Sequence, residues 1–135
     1  MSAYLLDTNH AAKAMAGEEP LATWLAERTQ IDDEFHISIT VLGELYFAAY
    51  ASRRRDHNLE RIAYLLARVH LLNFDQPAAE EFGRIKAELK AKGRPIPSTD
   101  VQIAAVARLH GLTVLTADRH FGYVDRLKAE NWLDE

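Results

Sequence analysis

Four of the acidic residues in this chain each stand alone inside an uncharged, largely apolar run. Asp7 follows Tyr4-Leu5-Leu6 and is the only charge before Lys13, and Glu44 is the only acid or base from Ile37 to Ser52. Asp100 is the only one between Arg94 and Arg108, and Asp118 closes the uncharged run Leu109 to Ala117. A carboxylate set against a core is costly unless it has a partner or a metal. No Lys or Arg shares those runs. The four acids therefore point to one shared site for a divalent cation. Gathered together they would repel and raise one another's pKa values, and a hard cation that prefers oxygen ligands reverses that. Mg²⁺ or Mn²⁺ held this way supports phosphodiester hydrolysis: it lowers the pKa of a bound water and stabilises charge on the attacked and leaving oxygens.

Such a site needs elements that deliver all four acids to one place. Ala3 to Leu6 reads as a buried strand ending at Asp7, with Thr8 or Asn9 capping a short helix near His10. Pro20 opens a second helix carrying Leu21, Trp24 and Leu25 at helical spacing. Phe35 to Ile39 is β-rich and reads as a second strand. Thr40 is the expected cap of the next helix, which carries Glu44 and runs to about Ser52. A further helix begins near Asp56 or Asn58, with Leu59, Ile62, Leu65, Leu66 and Val69 as its apolar stripe. Leu71 to Phe74 is a brief third strand.

Pro77 opens an amphipathic helix to about Lys92, stopped by Gly93 and Pro95. Ser98 or Thr99 caps a helix from Asp100 to His110, closed by Gly111. Thr113 to Thr116 is a fourth strand, and Leu127 to Asn131 a weak fifth. Strands alternating with helices predict an α/β fold, a sandwich around a mostly parallel sheet. Ligands gather beyond the carboxyl ends of such strands. Asp7 and Asp118 fall at strand ends, while Glu44 and Asp100 lie in opening turns of helices, so all four can reach one sheet edge.

Four strings resemble a known family: Leu5-Leu6-Asp7-Thr8-Asn9, Gly43-Glu44-Leu45, Pro97 to Ala105, and Val114 to Phe121. Their order and spacing resemble PIN-domain ribonucleases, in particular the VapC toxins of type II toxin–antitoxin pairs, over nearly the whole chain. The resemblance implies a PIN-like three-layer α/β/α sandwich with a central mostly parallel sheet of four to five short strands. It also implies that Asp7, Glu44, Asp100 and Asp118 are the metal-binding catalytic acids of a Mg²⁺- or Mn²⁺-dependent endoribonuclease toxin. Asp7 and Asp100 lead as direct ligands, and some family members carry a different residue at the position of Asp118. The implied partners are structured RNA, a VapB-like antitoxin and a second copy of the chain in a homodimer.

Thr116 is placed to hydrogen-bond and orient a ligand carboxylate, and Asn9 to act similarly. Arg119 and His120 adjoin the expected site and could touch the scissile phosphate. Arg53 and Arg54, in the Arg53-Arg54-Arg55 cluster, are either RNA phosphate contacts or a solvated helix end. Leu45, Tyr46, Phe47, Tyr50, Ile62, Leu65 and Leu66 exceed what one small core needs, so part of that stripe could form a groove for a partner helix. Each acid has a plainer alternative: helix cap for Asp7, dipole complement for Asp100, turn residue for Asp118.

Two other readings compete with the nuclease. A phosphatase of the haloacid-dehalogenase type would use Asp7 as nucleophile and want a second Asp two residues later, where Asn9 stands. A PIN scaffold that binds RNA or protein without cutting would not need all four acids. Whole-chain properties fit the nuclease without selecting its RNA. The length of 135 residues suits one domain, residues 1–135, and the net charge of −4 neither advertises nor excludes a polyanion ligand. The absence of cysteine removes disulfides, thiolate zinc sites and cysteine nucleophiles. With no signal-like N-terminus and no run of roughly 18 apolar residues, the expected location is the cytoplasm.

Overall fold

The computed structural model describes residues 2–133, so the ends of the expected domain, Met1, Asp134 and Glu135, lie outside the described stretch. Five short strands, β1 (Ala3–Leu6), β2 (Glu34–Ser38), β3 (His70–Leu72), β4 (Thr113–Leu115) and β5 (Ala129–Glu130), form one sheet in the order β3-β2-β1-β4-β5. Every pairing is parallel, with Leu5 opposite His36 on one side and Val114 on the other. Six helices connect the strands: α1 (Thr8–Met15), α2 (Leu21–Gln30), α3 (Ile39–Ala51), α4 (Arg55–Leu66), α5 (Gln76–Ala91) and α6 (Ser98–His110). A 3₁₀ turn over Arg119–Tyr123 links β4 to β5.

The strand order explains the layers. From β1 the chain steps outward to β2 and β3, then returns across β1 to β4 and β5. Because parallel crossovers are right-handed, reversing the direction of travel transfers the connecting helices to the opposite face. The expected α/β/α sandwich follows, and β1 and β4 flank its switch point, where open α/β sheets bind ligands. Buried Tyr4, Leu5, Leu6, Ile37, Val114 and Leu115 fill the sheet, and Val41, Leu45, Ile85, Leu89, Ile103 and Val106 cover it from the helices. Burial on both faces accounts for strands that read as apolar runs rather than alternating ones.

Several helix starts differ from expectation by one or two residues, each for a local reason. Asp7, not Thr8 or Asn9, caps α1, its Oδ1 accepting the His10 N–H at 2.8 Å. Ser38, not Thr40, caps α3 by accepting the Val41 N–H, so Ile39 belongs to the helix rather than to β2. Helix α4 starts at Arg55, and α6 starts directly after Pro97 without a side-chain cap, so neither Ser98 nor Thr99 serves as one. Gly111 closes α6 in the left-handed region, at φ 67°, where a residue without Cβ is favoured. Among the described residues no helix is long and apolar enough to cross a membrane.

Candidate metal and nuclease site

The carboxyl edge of the sheet at β1 and β4 carries Asp7 and Asp118, while Glu44 and Asp100 lie in the first turns of α3 and α6. Leu6 pairs with Leu115, and the Asp7 N–H donates to the Leu115 carbonyl at 3.1 Å, so the chains leaving both strands run side by side. Asp7, Asn9, Ala117, Asp118 and Arg119 line one open concavity there. Asp7 is 8% exposed, whereas Asn9, Asp118 and Arg119 stand in solvent at the rim.

Two hydrogen-bonded links extend the cluster to the remaining acids. The Thr8 hydroxyl donates to Oε1 of Glu44, fastening α3 to the start of α1 beside Asp7. His120 joins the other pair: its Nε2 lies 2.7 Å from Oδ2 of Asp100 and 2.9 Å from Oδ2 of Asp118. Donor atoms of Asp100, Asp118 and His120 all lie within 4.8 Å of one another. An imidazole nitrogen facing two carboxylates bridges them as a proton donor, and with its lone pair it could join them as a ligand. A third contact ties the two helices that present acids, with the Thr40 hydroxyl donating to Oε1 of Gln102 at 2.9 Å.

The remaining residues singled out by sequence are distributed differently. Thr116 bonds the backbone of Asp118, its Oγ1 accepting the Asp118 N–H at 3.0 Å, so it shapes the turn that carries that acid. Asp118 in turn accepts the His120 N–H at 3.2 Å, which makes it the cap of the 3₁₀ turn. Arg53 and Arg54 lie past the C-terminal end of α3 at Ala51, which is itself ~10 Å along the helix axis from Glu44 at 1.5 Å per residue. They line a separate open surface with Ser52 and His57 and are not part of the acidic edge. In the aromatic stripe, Leu45, Ile62 and Leu65 are core, while Phe47 is 76% and Tyr50 56% exposed.

Sequence reading missed His10, which is fully buried and bonds Asp7. The signal was available: His10 lies one helical turn from Asp7, and residues three apart share a helix face. Thr8 and Gln102, the partners of Glu44 and Thr40, were likewise not singled out.

The acids present are oxygen donors with two imidazoles beside them, His10 at Asp7 and His120 at Asp100 and Asp118, and no thiolate, a set suited to Mg²⁺ or Mn²⁺. Comparisons with known proteins identify the family. The PIN domain family profile matches residues 4–127. The chain is 34% identical over 134 residues to Ribonuclease VapC2 of Haemophilus influenzae, covering 98% of this chain and 100% of that protein. It is 38% identical over 97 residues to the tRNA(fMet)-specific endonuclease VapC of Shigella flexneri, covering 71% and 74% of the two chains. DNA-bound VapBC from Salmonella typhimurium contains a chain of the same fold, with a TM-score of 0.89 at 30% identity over 98% of this chain and 99% of that one. The chain belongs to the PIN-domain family, among the VapC ribonucleases.

Proposed function

We propose that the edge formed by Asp7, Glu44, Asp100 and Asp118 is the active site of a Mg²⁺- or Mn²⁺-dependent endoribonuclease toxin. The observation that carries this reading is that Asp7 and Asp118 line one open concavity beside the β1/β4 switch point, with Asp100 joined to Asp118 through His120. When bound, the cation supplies an activated water and neutralises charge on the phosphate oxygens. Asp7 and Asp100 hold it most directly. Glu44, tied to Thr8, and Asp118, tied to His120, complete its oxygen surroundings. Arg119, exposed at the rim, is available to a phosphate by a charge-assisted hydrogen bond.

The substrate is RNA, and transfer RNA is the first class to assay, because the Shigella flexneri relative is named for it. A VapB-like antitoxin is the expected protein partner, since the solved relatives from Salmonella typhimurium and Rickettsia felis are VapBC complexes. The outward apolar face of α3, with Ile39, Phe47 and Tyr50 exposed, suits a partner helix. Replacing Phe47 by Lys is expected to weaken antitoxin binding by about 2 kcal/mol while leaving RNA cleavage by free protein intact. A calorimetric antitoxin titration with unchanged affinity would remove that face from the reading. We also place the protein in the cytoplasm as a homodimer, which sedimentation can test for the assembly. The site itself is tested by calorimetric Mn²⁺ titration: absence of cation binding would favour a scaffold that holds RNA or protein without cutting.

A further inference from the structure

His10 has no place among the four acids, yet it is wholly buried and both its ring nitrogens have partners. Nε2 faces the backbone N–H of Trp132 at 3.1 Å. A backbone N–H can only donate, so Nε2 presents its lone pair and the ring proton sits on Nδ1. Nδ1 lies 3.1 Å from Oδ1 of Asp7, the same oxygen that accepts the His10 backbone N–H at 2.8 Å. Both donors thus converge on Oδ1, and Oδ2 is left for the concavity that Asp7 lines.

We propose that His10 is a positioning residue for Asp7, with the Trp132 backbone fixing the imidazole tautomer and Nδ1–H holding Oδ1, so that the carboxylate is oriented as the cation would need it. The inference rests on Asp7 being a metal ligand. A neutral donor suits that task because it orients the carboxylate without cancelling its charge, as Lys or Arg would. Groups that orient a ligand in this way govern metal affinity nearly as strongly as the ligand itself. Trp132 is well anchored for its part: its indole packs on Tyr4, Phe35 and Trp24, and the Arg28 guanidinium lies 5.4 Å from the ring centroid. The segment after β5 thereby reaches Asp7 through the Trp132 backbone N–H and His10.

The test combines tautomer and affinity. Nitrogen NMR of the metal-free protein labelled at histidine should show His10 protonated on Nδ1 and bare on Nε2; the opposite tautomer would overturn the proposal. Mn²⁺ titration calorimetry should show His10→Leu binding ~10–100-fold more weakly than the parent. His10→Asn places an amide N–H where Nδ1 was and should recover most of that loss, although both variants leave the Trp132 N–H equally unpaired. Equal losses in Leu and Asn variants, each verified as folded by thermal unfolding, would contradict a positioning role. If the Leu variant does not fold, the tautomer and the Asn variant still decide the matter. Asp7→Asn separates the two levels: Mn²⁺ binding unchanged in that variant removes the ligand reading itself, whereas binding lost there but intact in His10→Leu removes the positioning role alone.

Discussion

At the scale of single residues, Asp7 does two jobs that its neighbours make compatible. Its Oδ1 caps α1 and receives His10, and the side chain still borders the opening. Asparagine caps a helix about as well as aspartate. Asp7→Asn should therefore fold normally yet lose RNA cleavage by ~100-fold or more, beyond the effect of removing a group that only orients a ligand. Asp100→Asn should behave alike, and RNA cleavage assays on both variants, with circular dichroism to verify the fold, check the expectation. A second residue-scale consequence concerns His36, whose ring nitrogen bonds the Tyr4 carbonyl at 3.3 Å. Burial, the largest influence, lowers its pKa from the usual 6.5. The Tyr4 hydrogen bond opposes that, His70 and His110 reinforce it, and Glu34 opposes it. The unfolded chain therefore binds a proton at His36 before the folded one does. Stability from this group is complete above pH ~6.5 and declines as the pH falls below that value. Thermal unfolding at about pH 7 and about pH 5.5 should show a smaller acid-induced loss in His36→Gln than in the parent.

At the scale of elements, the α5–α6 pair is held by Arg108, whose side chain is 5% exposed. It donates to Glu81 through Nε and to Glu88 through Nη1 at 2.9 Å. Burial would push the Glu81 carboxyl up, but hydrogen bonds from Arg108 and Arg84 outweigh it and hold the pKa below the ordinary range. Since α6 also presents Asp100, Arg108→Ala should cost about 2 kcal/mol in urea unfolding, less than a fully buried broken pair because Glu88 is partly solvated. Elements of this kind were largely legible in the sequence. Apolar runs marked the sheet, Gly93 and Gly111 marked helix ends, and four isolated acids marked the proposed site. What stayed hidden is non-local. The bridge from His120 to Asp100 spans twenty residues and that from Thr8 to Glu44 spans 36, and neither leaves a periodic trace. Helix caps slipped by a residue or two because Asp7, read as a strand end, and Ser38, read inside a strand, were already serving as caps. The 3₁₀ turn was missed because Asp118 read as a metal-binding acid just past a strand end, with a turn residue as the plainer alternative.

At the scale of the whole molecule, a net charge of −4 means that RNA must be held by local basic groups rather than by a general field. Arg53 and Arg54, exposed and remote from the acids, are the strongest test of that idea. If they touch phosphates, Arg54→Ala should raise KM with little change in kcat. It should also lower the slope of log affinity against log salt by about 1. An unchanged slope in filter binding would leave them as a solvated helix end. The central claim, that four acids brought to the β1/β4 edge make a cation-dependent ribonuclease, is tested most directly by one measurement. Purified protein is incubated with total RNA, with Mg²⁺ or Mn²⁺ and then with the cation chelated, and new 5′ ends are mapped for the parent and Asp100→Asn. Discrete new ends that need both the cation and Asp100 are the expected result; the same ends after chelation, or undiminished in Asp100→Asn, would contradict it.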